Sequence, residues 1–287
     1  MTKQPVAAYL RAVKETMAAD LSRPPTSVTL SQKEPTRAVG CIFQSITTDP
    51  RHPWRIVLGE YFLPAARFVH IQKTRDGGIR LVHEHNIVAR AHCVNGLKRL
   101  FPAPIPGVDA KHLQCAVLLP NGSLLVSRNG ERHGHIYRLV PRQGGSNWWN
   151  DAEKQVVLRG EYGALESLAF HHGYLYALRT ESYDRPSSIV TVHRLPDGKQ
   201  VDAIPCPAVT WLYGIGFRKD LVPYFVTDWR SNRPGVYHGE KLVLPDFTGI
   251  GIAFLPNGGA IVVDHRYSVV DFGRPSEIKY LPPHIFR

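Results

Sequence analysis

The chain has 287 residues, 43% of them hydrophobic, with 24 glycines, 23 prolines and a formal net charge of +11. That is enough apolar material for one large core or two modest ones. The Gly and Pro content suits many short strands joined by turns and argues against a helical protein. No apolar run approaches the roughly 18 residues that span a membrane as a helix, and Arg11, Lys14 and Glu15 interrupt any signal-peptide block. The expected location is cytoplasmic.

The positive charge predicts an anionic partner, such as nucleic acid, an acidic lipid, an acidic protein surface or a polyanionic glycan; otherwise it serves solubility. Net charge bears on association and not on fold. Cys41, Cys93, Cys115 and Cys206 lie far apart with no C-x-x-C pair, so buried free thiols are expected in place of a zinc site or a disulfide framework.

Residues 5–21, PVAAYLRAVKETMAADL, put Val6, Leu10, Val13 and Met17 on one face at helical spacing, with Pro5 in the first turn. They predict an N-terminal α-helix, packed on its own domain or docking on a partner. Residues 22–37, with three prolines, read as a linker or a single edge strand. The domain division is therefore 1–37, helix and linker, and 38–287, one repeat domain.

Five units of four short strands follow. The first is expected at 39–45, 54–61, 67–72 and 78–84, the second at 113–119, 123–128, 135–140 and 154–159. The third lies at 166–170, 174–179, 189–195 and 200–204, and the fourth at 212–217, 223–228, 235–238 and 240–245. The fifth lies at 251–254, 260–265, 268–272 and 277–281. In each unit the first pair is apolar and the second more polar, as a propeller blade requires, with its inner strands buried between neighbours. Gly122, Gly173 and Gly258 mark the first turn, Leu118, Phe170, Phe217 and Phe254 close the first strand, and Arg128, Arg179, Arg230 and Arg266 follow the second.

The fifth unit, GIAFLPNGGAIVVDH, resembles the β-propeller repeats of the NHL and SMP-30/strictosidine-synthase-like groups. The expected fold is an all-β propeller, most simply of five blades. Residues 86–112 fit no unit, and are either an insertion or a sixth blade.

Three sets of residues are candidates for function. Arg128, Arg179, Arg230 and Arg266, with Arg67 as a fifth, are expected to ring the channel mouth and clamp phosphates or carboxylates. The competing outcome is pairing with neighbouring acids such as Glu181, Asp184, Asp228 and Asp264. The resemblance to SMP-30-like hydrolases implies a divalent cation held near the starts of the inner strands. Those starts are Gln114, Glu166, Tyr213 and Ile250, and the single acid is too few for a hard cation. No metal or cofactor is therefore expected. A glycosidase would pair Glu166 with Asp228 or Asp264 across the mouth. Trp148 and Trp149 offer a binding platform or an outer clasp of a blade. His83 and His85, and His133 and His135, share strand faces without a third metal ligand. Motifs for a serine nucleophile, a phosphate loop or a dinucleotide site are absent from the sequence.

The leading expectation is a non-enzymatic module binding an anionic partner through an arginine-rich face. The alternative is an SMP-30-like or glycosidase-type hydrolase acting at Glu166.

Overall fold

A computed structural model describes residues 27–30, 36–38, 43–60, 66–73, 75, 79–86, 113–128, 136–140, 153–158, 164–195, 197–264 and 277–286. The helix expected over 5–21, Trp148, Trp149 and Arg266 lie outside the described residues.

Strand periodicity governs the described chain. Two short strands lead, β1 (Ser27–Leu30) and β2 (Thr36–Ala38). Next come β3 (Phe43–Asp49), β4 (His52–Glu60), β5 (Ala66–Lys73) and β6 (Ile79–Asn86). The second group is β7 (Leu113–Leu118), β8 (Leu124–Arg128), β9 (Ile136–Val140) and β10 (Glu153–Leu158). The third is β11 (Ala164–His171), β12 (Tyr174–Thr180), β13 (Ser188–Arg194) and β14 (Gln200–Pro205). The fourth is β15 (Leu212–Gly216), β16 (Tyr224–Thr227), β17 (Gly235–His238) and β18 (Lys241–Pro245). The last comprises β19 (Gly251–Phe254), β20 (Ala260–Asp264) and β21 (Glu277–Leu281), followed by a 3-10 helix at Pro283–Phe286. Among the described residues there is no α-helix.

These strands form five antiparallel sheets, four of them running outward in chain order from their first strand. The fifth is completed from far away in sequence, because β2 pairs with β21 through Thr36 and Lys279. The neighbouring β1 adds a fifth strand to the first sheet, with Ser27 opposite Val82. The segment expected as a linker or a single edge strand thus supplies an edge strand to the first sheet and another to the last.

The first strands β3, β7, β11, β15 and β19 lie against one another in that order, and β19 returns to β3. Between the sheets sit apolar clusters: Ile46 and Ile56 with Ile261 and Ile278, Val117 and Leu125 with Leu168 and Leu175, Tyr176 and Leu178 with Ile215 and Phe225. Each such fully buried side chain contributes about 1.5–3 kcal/mol relative to exposure. The outermost β14 is almost wholly exposed, whereas β15 is wholly buried. Where β15 meets β19, a Cβ on Gly214 would stand 2.8 Å from the Cα of Gly251. A larger residue would have to displace backbone there.

The first sheet differs from expectation. Its first strand is 43–49 where 39–45 was expected, because the hairpin sits at Pro50 and Arg51 and the Asp49 carboxylate accepts from the Arg51 N–H at 2.9 Å. Three of the other first-pair hairpins sit where Gly122, Gly173 and Gly258 mark them, each glycine at φ between 83° and 85°, and the fourth spans 217–223 without a glycine. In the fifth sheet β21, at 277–281, pairs directly with β20. The strand expected at 268–272 lies outside the described residues.

Candidate active site at the upper channel mouth

The first strands begin at one end of the channel, here the upper mouth, and their hairpins close the other end. Near their starts, β3, β7, β11 and β15 each break register with the second strand, at Gln44, Gln114, Glu166 and Tyr213. A bulge leaves one residue out of the ladder and re-aims it, and such irregularities recur beside functional sites. The repeat therefore places Gln44, Gln114, Glu166 and Tyr213 at one register position. Gln44 escaped the sequence reading because the first strand had been placed too early.

Glu166 is 2% exposed. Its Oε1 accepts a hydrogen bond of 2.8 Å from the Tyr183 hydroxyl, in the loop between β12 and β13. Burial pushes the carboxyl up to about 7, against the lowering influence of Tyr183 and of the Arg230 charge. Behind it the Cys115 Sγ donates to the Glu166 carbonyl at 3.4 Å, and burial drives that thiol up to about 12.

Aromatic rings stand beside the carboxyl. Tyr183 stacks on Trp211 with centroids 4.9 Å apart and lies 5.8 Å from Tyr213. Burial raises both tyrosines well above the ordinary phenol range. Trp211 has φ of 53°, in the left-handed region, where a bulky residue stands at a cost of about 1–2 kcal/mol. Two backbone bonds hold it: its N–H donates to the Tyr183 carbonyl at 3.1 Å, and its carbonyl accepts from the Asp228 N–H at 2.9 Å. The strained turn sets the indole between two sheets.

Arg230 lies over that indole, its guanidinium carbon 3.7 Å from the ring centroid. It also bonds Asp228 bidentately, Nε to Oδ1 at 2.9 Å and Nη2 to Oδ2 at 3.0 Å. Asp228 is 1% exposed, so its charge is matched by the arginine beside it. In the next sheet the Asp264 Oδ2 accepts from Lys279 Nζ at 2.7 Å and from Thr248 Oγ1 at 2.6 Å. Neither aspartate stands unbonded opposite Glu166.

The arginines occupy more than one position. Arg128 and Arg179 share a register place, opposite Leu113 and Leu165. Thr227 holds that place in the fourth sheet, and Arg230 lies beyond it in the following turn. Arg67 is in a third strand, opposite Leu58 and Asn86. Arg179 is 2% exposed, with its Nε donating to Thr191 Oγ1 at 3.3 Å, and burial lowers its proton affinity. Cys115 and Cys206 are free thiols. Among the described residues, no three His, Cys, Asp or Glu side chains gather into a group able to hold a metal ion. Sequence spacing isolated Glu166, but Tyr183 and Trp211 carry no periodic signal, since they belong to loops that vary from unit to unit.

No family model matches the chain, and no curated protein matches it. Solved structures do. The PQQ-bound aldose sugar dehydrogenase from Streptomyces coelicolor aligns with a TM-score of 0.51 at 13% identity, over 85% of this chain and 80% of its own. XC5397 from Xanthomonas campestris, a gluconolactonase, aligns at 0.44 and 11%, over 90% and 99%. Virginiamycin B lyase from Staphylococcus aureus aligns at 0.40 and 15%, over 83% and 66%. The chain has the β-propeller fold. At these identities the likeness speaks for fold alone.

Proposed function

We propose that the protein is a propeller enzyme that moves a proton through the Glu166–Tyr183 pair at the upper mouth, hydrolysing a small ring compound, a lactone or a glycoside. One observation carries this reading: a buried carboxyl, brought to about 7, bonded to a half-buried tyrosine on a bulged inner strand. A group that titrates near neutrality is populated in both forms, as general acid–base catalysis requires. Tyr183 is the substrate-facing member, and a proton taken at its hydroxyl passes to Glu166. Trp211 and Tyr213 supply flat faces against which a ring lies. Arg230, held by Asp228, orients a polar substituent on that ring. The same geometry favours five blades, with 86–112 as an insertion, since β19 closes on β3.

The competing reading, an anionic partner clamped by arginines, needs cations presented to solvent. Arg230 is committed to Asp228 and Arg179 is buried, which is why the enzyme is preferred.

The test is a panel of chromogenic esters, lactones and nitrophenyl glycosides, assayed with the full chain and with Glu166→Gln and Tyr183→Phe. Turnover of at least one class, lowered about 10²–10⁴-fold by Glu166→Gln in a protein of unchanged circular dichroism, is the expected result. Equal rates in the variant, or an inert parent across the panel, overturn the reading.

A further inference from the structure

The guanidinium of Arg230 is held on several sides. Its Nε and Nη2 donate to the two oxygens of Asp228 at 2.9 and 3.0 Å, and the Trp211 indole lies against its face at 3.7 Å. The Tyr213 hydroxyl takes a further N–H. The backbone is tied to the same acid, since the Arg230 N–H donates to Asp228 Oδ1 at 2.9 Å. An arginine presents five N–H donors in one plane. Asp228 takes two of them and Tyr213 one, and none of the described residues accepts the other two. The Arg230 side chain is nevertheless 29% exposed, with Asp228 at 1% behind it. What reaches solvent is a planar cation of fixed orientation that keeps two donors. One such edge is too little for a macromolecular polyanion and enough for a single small acid.

This edge belongs to the site already described. Trp211 stacks with Tyr183 at 4.9 Å, Tyr183 donates to Glu166 at 2.8 Å, and the Arg230 charge acts on the Glu166 carboxyl. A ring lying on these aromatic faces meets the cation at one end and the proton-carrying pair at the other. The two loops that carry Tyr183 and Arg230, 181–187 and 228–233, hold Glu181, Asp184 and Asp228 against Arg185, Arg230 and Arg233. Their charge is balanced, so selection comes from the shape of the donor pair and not from a positive field. A carboxylate accepts both N–H groups in their own plane, and charge-assisted bonds are roughly twice as strong as neutral ones. A hydroxyl offers one oxygen. A phosphate brings extra charge that one arginine, already shared with Asp228, does not match.

We propose that the substrate is an acidic ring compound, a lactone or glycoside bearing a carboxylate, and that Arg230, set by Asp228 and Trp211, selects it. The proposal rests on the Glu166–Tyr183 reading for the bond that is broken, but the acid is bound at Arg230, so binding is measurable apart from turnover.

The probes are a nitrophenyl hexuronide, its carboxamide, the plain hexoside and a phosphorylated hexoside, with carboxyphthalide and phthalide as the lactone pair. Binding is read by calorimetry on the full chain carrying Glu166→Gln, which halts turnover, and hydrolysis by absorbance on the parent. The acid of at least one series should bind about tenfold or more tightly than its neutral and phosphorylated counterparts. Arg230→Lys, which keeps the charge and loses the fork, should lose most of that preference. The double variant Asp228→Asn/Arg230→Gln should abolish it, and an amide pair of similar size leaves no buried charge uncompensated, so the melting temperature checks the fold. Equal affinity for acid and neutral forms, a preference for the phosphate, or a preference that survives in the double variant overturns the proposal. Turnover of any probe in the parent would then leave Glu166 and Tyr183 in their roles. Arginine-dependent binding of the acid with no turnover in the parent has the opposite meaning: acid recognition is upheld and the hydrolytic reading falls. Absence of binding by every probe overturns the proposal.

Discussion

The two mouths of one channel are made by the same five strands and differ in what ends each strand. At the upper mouth four of the five strands start with bulges, at the polar residues Gln44, Gln114, Glu166 and Tyr213, and β19 starts in regular register. At the lower mouth four of the five ladders run regularly to their hairpins and set Leu118, Phe170, Phe217 and Phe254 there, while the first breaks again between Thr48 and Asp49. Regular pairing gives each repeat the same side chain facing the channel, which builds a collar. A bulge breaks that equivalence and lets one blade carry a carboxyl where another carries a phenol. Chemistry therefore concentrates where the repeat is least regular.

The widest separation between the ends should appear in stability against pH. Glu166 sits at about 7 when folded against 4.5 for an ordinary glutamate. The folded state therefore binds more protons than the unfolded chain between those values, and stability falls as pH rises through that window. The loss reaches up to about 3 kcal/mol by pH 8. Glu166→Gln keeps an acceptor for Tyr183 and removes the titration. Urea unfolding from pH 4 to 8 should show a slope in the parent across this window that the variant lacks, leaving the variant the more stable above pH 7. Parallel profiles would place the carboxyl in contact with water.

A smaller effect separates the ion pair from an exposed apolar side chain. Asp228→Ala strips the bidentate partner from Arg230 and the acceptor from the Arg230 N–H. The Arg230 side chain is 29% exposed, so water recovers part of the loss and the expected cost is about 2 kcal/mol. Leu221→Ser, at the other end, should stay within about 0.5 kcal/mol, because the side chain is already in solvent. Equal costs, read from urea midpoints at constant slope, would contradict this division.

How much of this was legible in the sequence follows from the same contrast. Gly122, Gly173 and Gly258, with Leu118, Phe170, Phe217 and Phe254, recur at matching places, so the inner hairpins and the lower collar could be read from spacing. The fifth sheet could not be completed that way. Its last strand is Thr36–Ala38, and nothing local in three residues says that they pair with 277–281. Glu166 was found because it begins an apolar strand as an acid, whereas Tyr183 and Trp211 were missed. Trp211 in particular holds a left-handed backbone that sequence assigns to Gly or Asn. The arginine repeat was real in sequence yet split in space, since Arg179 lies within the ladder and Arg230 beyond it.

The lower hairpins offer the smallest and sharpest comparison. Gly173 and Gly258 have nearly the same φ, 85° and 83°, so alanine pays the same left-handed backbone penalty of about 1 kcal/mol at both. Their surroundings differ. A Cβ at Gly173 meets nothing within 4 Å, while at Gly258 it would stand 2.8 Å from Nη2 of Arg218. That guanidinium holds the Phe286 carbonyl through Nη1, and Phe286 packs on Tyr224 and Phe254. Gly258→Ala must therefore shift the bond that seats the chain's last turn, and should cost about 1 kcal/mol more than Gly173→Ala. Equal melting temperatures for the two variants would mean that Arg218 moves aside freely and that the last turn is held by its apolar contacts alone.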